Sequence, residues 1–158
     1  MRQQEIDLLY LVPGLGSRPT PPPAGAEASG VPSPQRHGCT VLVVDDNHSK
    51  RYAVSRALRA HGFRVIEAAH ATEALAAPAC SALVLDVHLP DMDGFALCRR
   101  LRDLHPRLPI VQISSVLLEP EYQQAGREAG ADAYLPDPEP NELVGTLDRL
   151  LRQKAGLQ

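Results

Sequence analysis

From Cys39 onward, short apolar runs alternate with segments whose apolar residues recur every three or four positions. TVLVV (40–44) is a continuous apolar run, the mark of a strand buried on both faces. FRVIEA (63–68), SALVLD (81–86), PIVQIS (109–114) and DAYL (132–135) read as four more strands. The first intervening segment is SKRYAVSRALRAHG, with Val54, Ala57, Leu58 and His61 on one helical face and Gly62 as its stop signal. ATEALAA (71–77) reads as a short helix ended by Pro78. GFALCRRLRDLH (94–105) points Phe95, Cys98, Leu101 and Leu104 inward, leaving Arg99, Arg100 and Arg102 on a wet face. A weaker helix spans about residues 120–129, with Pro120 in its first turn and Gly130 after it. NELVGTLDRLLRQ (141–153) carries a stripe of Leu143, Val144, Leu147, Leu150 and Leu151, with Asn141 placed as a cap.

Five strand–helix units with short, right-handed connections predict an α/β fold: a doubly wound five-stranded parallel sheet with helices on both faces. Residues 13–38 differ, with seven prolines and five glycines in 26 positions. Such a stretch cannot bury enough apolar surface to offset its ordering entropy. Residues 1–38 are therefore expected to form a disordered extension with local polyproline II at Pro21–Pro23, residues 39–154 the domain, and residues 155–158 a short tail. No second domain is expected after the last helix.

The net charge of −3 argues against a general nucleic-acid surface, and no helix-turn-helix remains to be assigned. Cys39, Cys80 and Cys98 make neither a disulfide framework nor a zinc spacing. No apolar run reaches the roughly 18 residues of a membrane helix, and the chain reads as cytoplasmic.

In a sheet of this kind, functional groups gather at the carboxyl ends of the strands. The first strand ends in Asp45-Asp46, the third in Asp86, the fourth in Ser114-Ser115. Clustered carboxylates repel one another unless a cation lies between them, and hard oxygen ligands suit Mg²⁺. A carboxylate can also attack phosphorus and form an aspartyl-phosphate, while a hydroxyl can donate to a phosphoryl oxygen.

VLVVDDN (41–47), LVLDVHLPDMDG (83–94), PIVQISS (109–115) and GADAYLPDP (130–138) together resemble the receiver domain of bacterial response regulators. The resemblance covers about residues 40–152 and implies strand order 2-1-3-4-5. It implies Asp86 as phosphoacceptor, and Mg²⁺ held by Asp45, Asp46, Asp86 and the backbone carbonyl of His88. Ser114 would sense the phosphoryl group, and Tyr134 would be an aromatic switch residue. The implied donor is a phosphohistidine on a sensor histidine kinase or phosphotransfer protein. A stand-alone, single-domain response regulator would signal through protein contacts, catalysing at most its own phosphorylation and dephosphorylation. Asp91 and Asp93 are read as turn formers, Gly94 as a source of permissive backbone angles, and His48 as a solvated residue at a helix start.

One position departs from the family pattern. Asp137 stands where receivers carry a lysine, followed by Pro138, whose preceding bond is a candidate cis peptide. Residues 133–141 contain no lysine or arginine to take its place. Asp137 thus motivates a second reading, a receiver-like binding module that works without phosphorylation. A Mg²⁺-dependent phosphatase acting on a diffusible substrate would also use the acids, but no segment is left to build its substrate pocket.

Overall fold

The computed structural model describes residues 34–154. The expectations for residues 1–33 and 155–158, including Pro21–Pro23, lie outside them. Five strands, β1 (Thr40–Val44), β2 (Arg64–Ala68), β3 (Ala82–Asp86), β4 (Ile110–Ser114) and β5 (Ala133–Pro136), alternate with five helices. These are α1 (His48–Ala60), α2 (Ala71–Ala76), α3 (Gly94–Leu104), α4 (Pro120–Glu128) and α5 (Pro140–Lys154). All strand pairs are parallel, in the order β2-β1-β3-β4-β5.

Side chains on successive strand residues point to opposite faces, so each strand feeds two cores. Val41, Val43, Ala82, Val84, Val111 and Ile113 pack with Leu58 of α1 and with Leu143, Val144, Leu147 and Leu150 of α5. Leu42, Val44, Leu83, Leu85 and Ile110 pack on the other face with Ala71, Ala74, Leu97, Cys98 and Leu101. Leu58, Leu83, Leu85, Leu97 and Leu147 are fully buried. Each contributes on the order of 2 kcal/mol to folding through the water-exposed surface it removes.

The helix ends have identifiable chemistry. Asn47 caps α1, its side chain accepting from the Lys50 amide at 2.9 Å. Asp91 accepts from the amides of Ala71 and Thr72 at 2.9 and 3.1 Å, closing the start of α2 from a distant loop. Asp93 sits at the N-cap position of α3.

Several sequence expectations need correction. Ordered structure precedes Cys39: Pro34–Gly38 form a 3₁₀ turn held by Arg36. That guanidinium forks onto Asp148 of α5, donates to the His61 carbonyl at 3.2 Å and lies 5.7 Å above the Phe63 ring. Leu104 is 59% exposed, because it ends α3 where the chain turns off toward β4; Leu97 fills the inward position instead. Asn141 is not the cap of α5. The helix starts one residue earlier, at Pro140, whose fixed φ favours the first helical position, and the Leu143 amide donates to Glu139. Arg102 is not simply wet: it pairs with Asp132 at 2.9 Å and donates to Gly130 at 2.9 Å.

Gly94 is needed for space rather than for backbone angle. Positive φ among the described glycines belongs to Gly62 and Gly130. A Cβ on Gly94 would lie 2.4 Å from the Val87 Cα and 2.6 Å from its carbonyl oxygen. The loop between β3 and α3 therefore folds back on itself without room for a side chain, and Gly94 donates to Val87 at 3.0 Å across it.

Candidate functional site

The sheet order reverses between β1 and β3: from β1 the chain passes to β2 on one side, then crosses back to β3 on the other. Such a switch point opens a crevice at the carboxyl ends of the strands. Val44 is in register with Leu85, so the next residues, Asp45 and Asp86, emerge side by side. Carboxylate oxygens of Asp45, Asp46 and Asp86 all lie within 4.8 Å of one another. Asp45 and Asp86 are buried; Asp46 is exposed.

Each acid is held differently. Asp45 Oδ1 accepts from the Asn47 amide at 2.9 Å, while its buried Oδ2 has no hydrogen-bond partner. The Asp45 carbonyl accepts from Arg51 Nη1 at 2.7 Å, fixing the bend into α1. Burial pushes the Asp86 carboxyl up to about 6, and the neighbouring Asp45 charge adds to the rise; Lys50 and the His88 amide pull against it. An oxygen-rich crevice with one orphaned buried carboxylate oxygen suits a hard divalent cation. Asp45, Asp46 and Asp86 are the side chains that could hold Mg²⁺, and its charge would bring Asp86 back to its ionised form.

Ser114 ends β4 at the same rim and is buried. Its Oγ accepts from the amides of Val116 and Leu117 at 3.2 and 2.9 Å, which leaves the O–H as a donor. Tyr134 connects to this loop. Its ring is buried and stacked on Phe95, with centroids 6.3 Å apart, and its hydroxyl donates to the Leu117 carbonyl at 2.7 Å. Burial raises the Tyr134 pKa, so the phenol stays protonated as a donor. The tyrosine thereby joins β5 to the segment that follows Ser114.

Asp137 is exposed and has φ of +46°, the one positive φ among the described non-glycine residues. Aspartate tolerates this left-handed conformation better than most residues. Its amide donates to the Ser114 carbonyl at 2.7 Å, extending the β4–β5 ladder past Pro136. Pro138 follows in a groove that it shares with Asp137, Ser114 and Ser115. His88 and His48 are both exposed, His48 at the first residue of α1 as expected.

Residues 133–141 bring no cation to the acids, but α1 does. Lys50, on α1, reaches the acids: its Nζ lies 3.6 Å from Asp45 Oδ2 and 3.9 Å from Asp86 Oδ1, and is hydrogen-bonded to Ser115 Oγ at 3.2 Å. The signal was present in the sequence. Lys50 is the third residue of a helix capped at Asn47, and helical side chains tilt toward the N-terminus, here toward Asp45-Asp46.

Comparison with known proteins agrees with this geometry. Residues 41–148 match the model of the response regulator receiver domain. The response regulator MprA of Mycobacterium ulcerans is 41% identical over 118 residues, covering 72% of this chain and 50% of that protein. The chain thus spans about half the length of the curated relatives it matches. Among solved structures, a response regulator of Chloroflexus aurantiacus superposes with a TM-score of 0.67 at 38% identity, covering 72% of this chain and 97% of that one. The chemotaxis protein CheY4 of Vibrio cholerae does so with 0.65 at 34% identity, covering 71% and 98%. With the sheet order, the acidic crevice and the family match in agreement, the chain belongs to the response regulator receiver domains of two-component signalling.

Proposed function

We propose that this receiver accepts a phosphoryl group on Asp86 from a phosphohistidine on a sensor histidine kinase or phosphotransfer protein. The observation that carries the reading is the position of Asp86: buried at the end of a central strand, with Asp45 and Asp46 oxygens within 4.8 Å. A carboxylate oxygen of Asp86 attacks phosphorus, the phosphorus–nitrogen bond breaks, and the imidazole leaves with its proton. Bound Mg²⁺ would offset charge on the transferring oxygens, held by Asp45, Asp46, Asp86 and the His88 carbonyl. Ser114 donates its hydroxyl hydrogen to a phosphoryl oxygen. Moving that hydroxyl disturbs its bonds to Val116 and Leu117, and Leu117 is where the Tyr134 hydroxyl is anchored. The change then reaches the face of α4, β5 and α5, where a protein partner reads it, with no nucleic acid bound directly.

The test is phosphorylation with Mg²⁺ and a small-molecule phosphodonor, read by intact mass and by peptide mapping. Wild type should gain one phosphoryl group on Asp86, and Asp86→Asn none. Equal labelling of the two sinks the proposal. Asp137 supports a second reading, a receiver-like module whose partner binding ignores phosphorylation. A partner interaction unchanged in Asp86→Asn and in the absence of Mg²⁺ would favour it.

A further inference from the structure

We infer that Lys50 is the phosphoryl-facing cation of this site, supplied by α1 rather than by the loop after β5. The inference rests on the reading of Asp86 as phosphoacceptor. Three carboxylates meet at the rim, and a phosphoryl group adds further negative charge to them. A divalent ion alone leaves that sum negative, so a side-chain cation beside it would lower the repulsion. The loop after β5 offers Asp137 instead. Among the described residues, Lys50 is the cation that forms ion pairs with the carboxylates of Asp45 and Asp86.

Its placement suits the task on three counts. The cap at Asn47 fixes the backbone of Lys50, so the ammonium is aimed by a rigid helix end. The side chain is one-third exposed, so an incoming phosphodonor can meet it. Its third contact, Ser115 Oγ, and the groove it shares with Ser114 and Asp137 put it on the side from which Ser114 faces the site. Before phosphorylation the ammonium bridges the oxygens Asp45 Oδ2 and Asp86 Oδ1. Asp45 and Asp86 are also two of the side chains that would hold a divalent ion. During transfer the new bond joins Asp86 oxygen to phosphorus, the donor's phosphorus–nitrogen bond breaks, and the imidazole leaves as the neutral ring with the proton already on its other nitrogen. Lys50 stays protonated throughout and donates to phosphoryl oxygens, having given up the acids to the metal.

This arrangement has a signature that a purely structural lysine would lack: Lys50 competes with the metal but assists the phosphoryl group. Lys50→Met should bind Mg²⁺ several-fold more tightly by titration calorimetry, yet be phosphorylated at least tenfold more slowly at saturating Mg²⁺. Lys50→Arg, which keeps the charge, should stay within a few-fold of wild type in rate. Thermal unfolding of the three proteins controls for folding. Labelling of wild type with equal labelling of Lys50→Met overturns this inference alone, as does weaker Mg²⁺ binding by Lys50→Met. Absence of label on wild type with Mg²⁺ bound overturns the phosphoacceptor reading and this inference with it.

Discussion

Replacing Asp86 with asparagine is expected to stabilise the metal-free protein at neutral pH while leaving it almost unchanged in acid. The buried carboxyl is pushed up from its ordinary 3.8 to about 6, first by burial and then by the Asp45 charge. A folded-state pKa above the unfolded one means that the native protein holds its proton longer. Stability is therefore lost as pH rises from the unfolded value through the folded one. From those two pKa values, the ionised group destabilises the fold by about 1 kcal/mol at pH 4.5 and about 3 kcal/mol at pH 7 and above. Asparagine has nearly the same shape and never ionises, so the difference between variant and wild type should follow that curve. The attraction of Lys50 is already contained in the shifted value. Urea unfolding in chelator, followed by circular dichroism from pH 4.5 to 7.5, measures the difference, since titrating groups away from Asp86 cancel between the two proteins. Adding Mg²⁺ should narrow the gap, because the ion stabilises wild type more than the variant. A difference that is flat with pH, or an asparagine variant that is less stable at pH 7, would refute the reasoning.

Three further outcomes follow from the structure. Gly94→Ala should cost at least about 2 kcal/mol by chemical denaturation, because the new methyl group meets Val87 backbone at 2.4 Å and that backbone continues from Asp86. Asp137→Asn should keep wild-type stability and be phosphorylated a few-fold faster, consistent with removing about 0.5–1 kcal/mol of screened repulsion; Asp137→Ala should instead lose about 1 kcal/mol of stability, because alanine pays for the positive φ. Arg36→Ala should destabilise the domain by about 1–3 kcal/mol in the same unfolding assay, since it removes the fork onto Asp148 and the bond to the His61 carbonyl; an unchanged midpoint would show that the 3₁₀ turn does not brace α1 and α5.

The sheet was legible because its strands are short, apolar and separated by helical spacing, and the acids were legible because each ends a strand. TVLVV and SALVLD needed no tertiary information to be read as buried. What escaped were features set by contacts distant in sequence. Arg36 lies in a stretch rich in proline and glycine, and its order is explained by partners distant in sequence, Asp148 above all, 112 residues away. Gly94 looked like a turn residue, while its cause is the approach of Val87. Leu104 fits the apolar stripe of α3, yet the stripe continues past the layer that would cover it. Lys50 is a different case: it lies four positions from Asp46, outside the loop after β5, and its reach follows from helix geometry.

Seating a charge on α1 separates two jobs that a loop-borne lysine would combine. A cation anchored one turn into a capped helix is stationary when the segment between β5 and α5 moves. If Lys50 meets the phosphate as proposed, that contact would give the segment no pull of its own. On the proposed function, movement would enter the face of α4, β5 and α5 from the other side, by way of Ser114, Leu117 and the Tyr134 hydroxyl. Under that proposal the site would have one mechanical line out of it rather than two, ending at the ring stacked on Phe95.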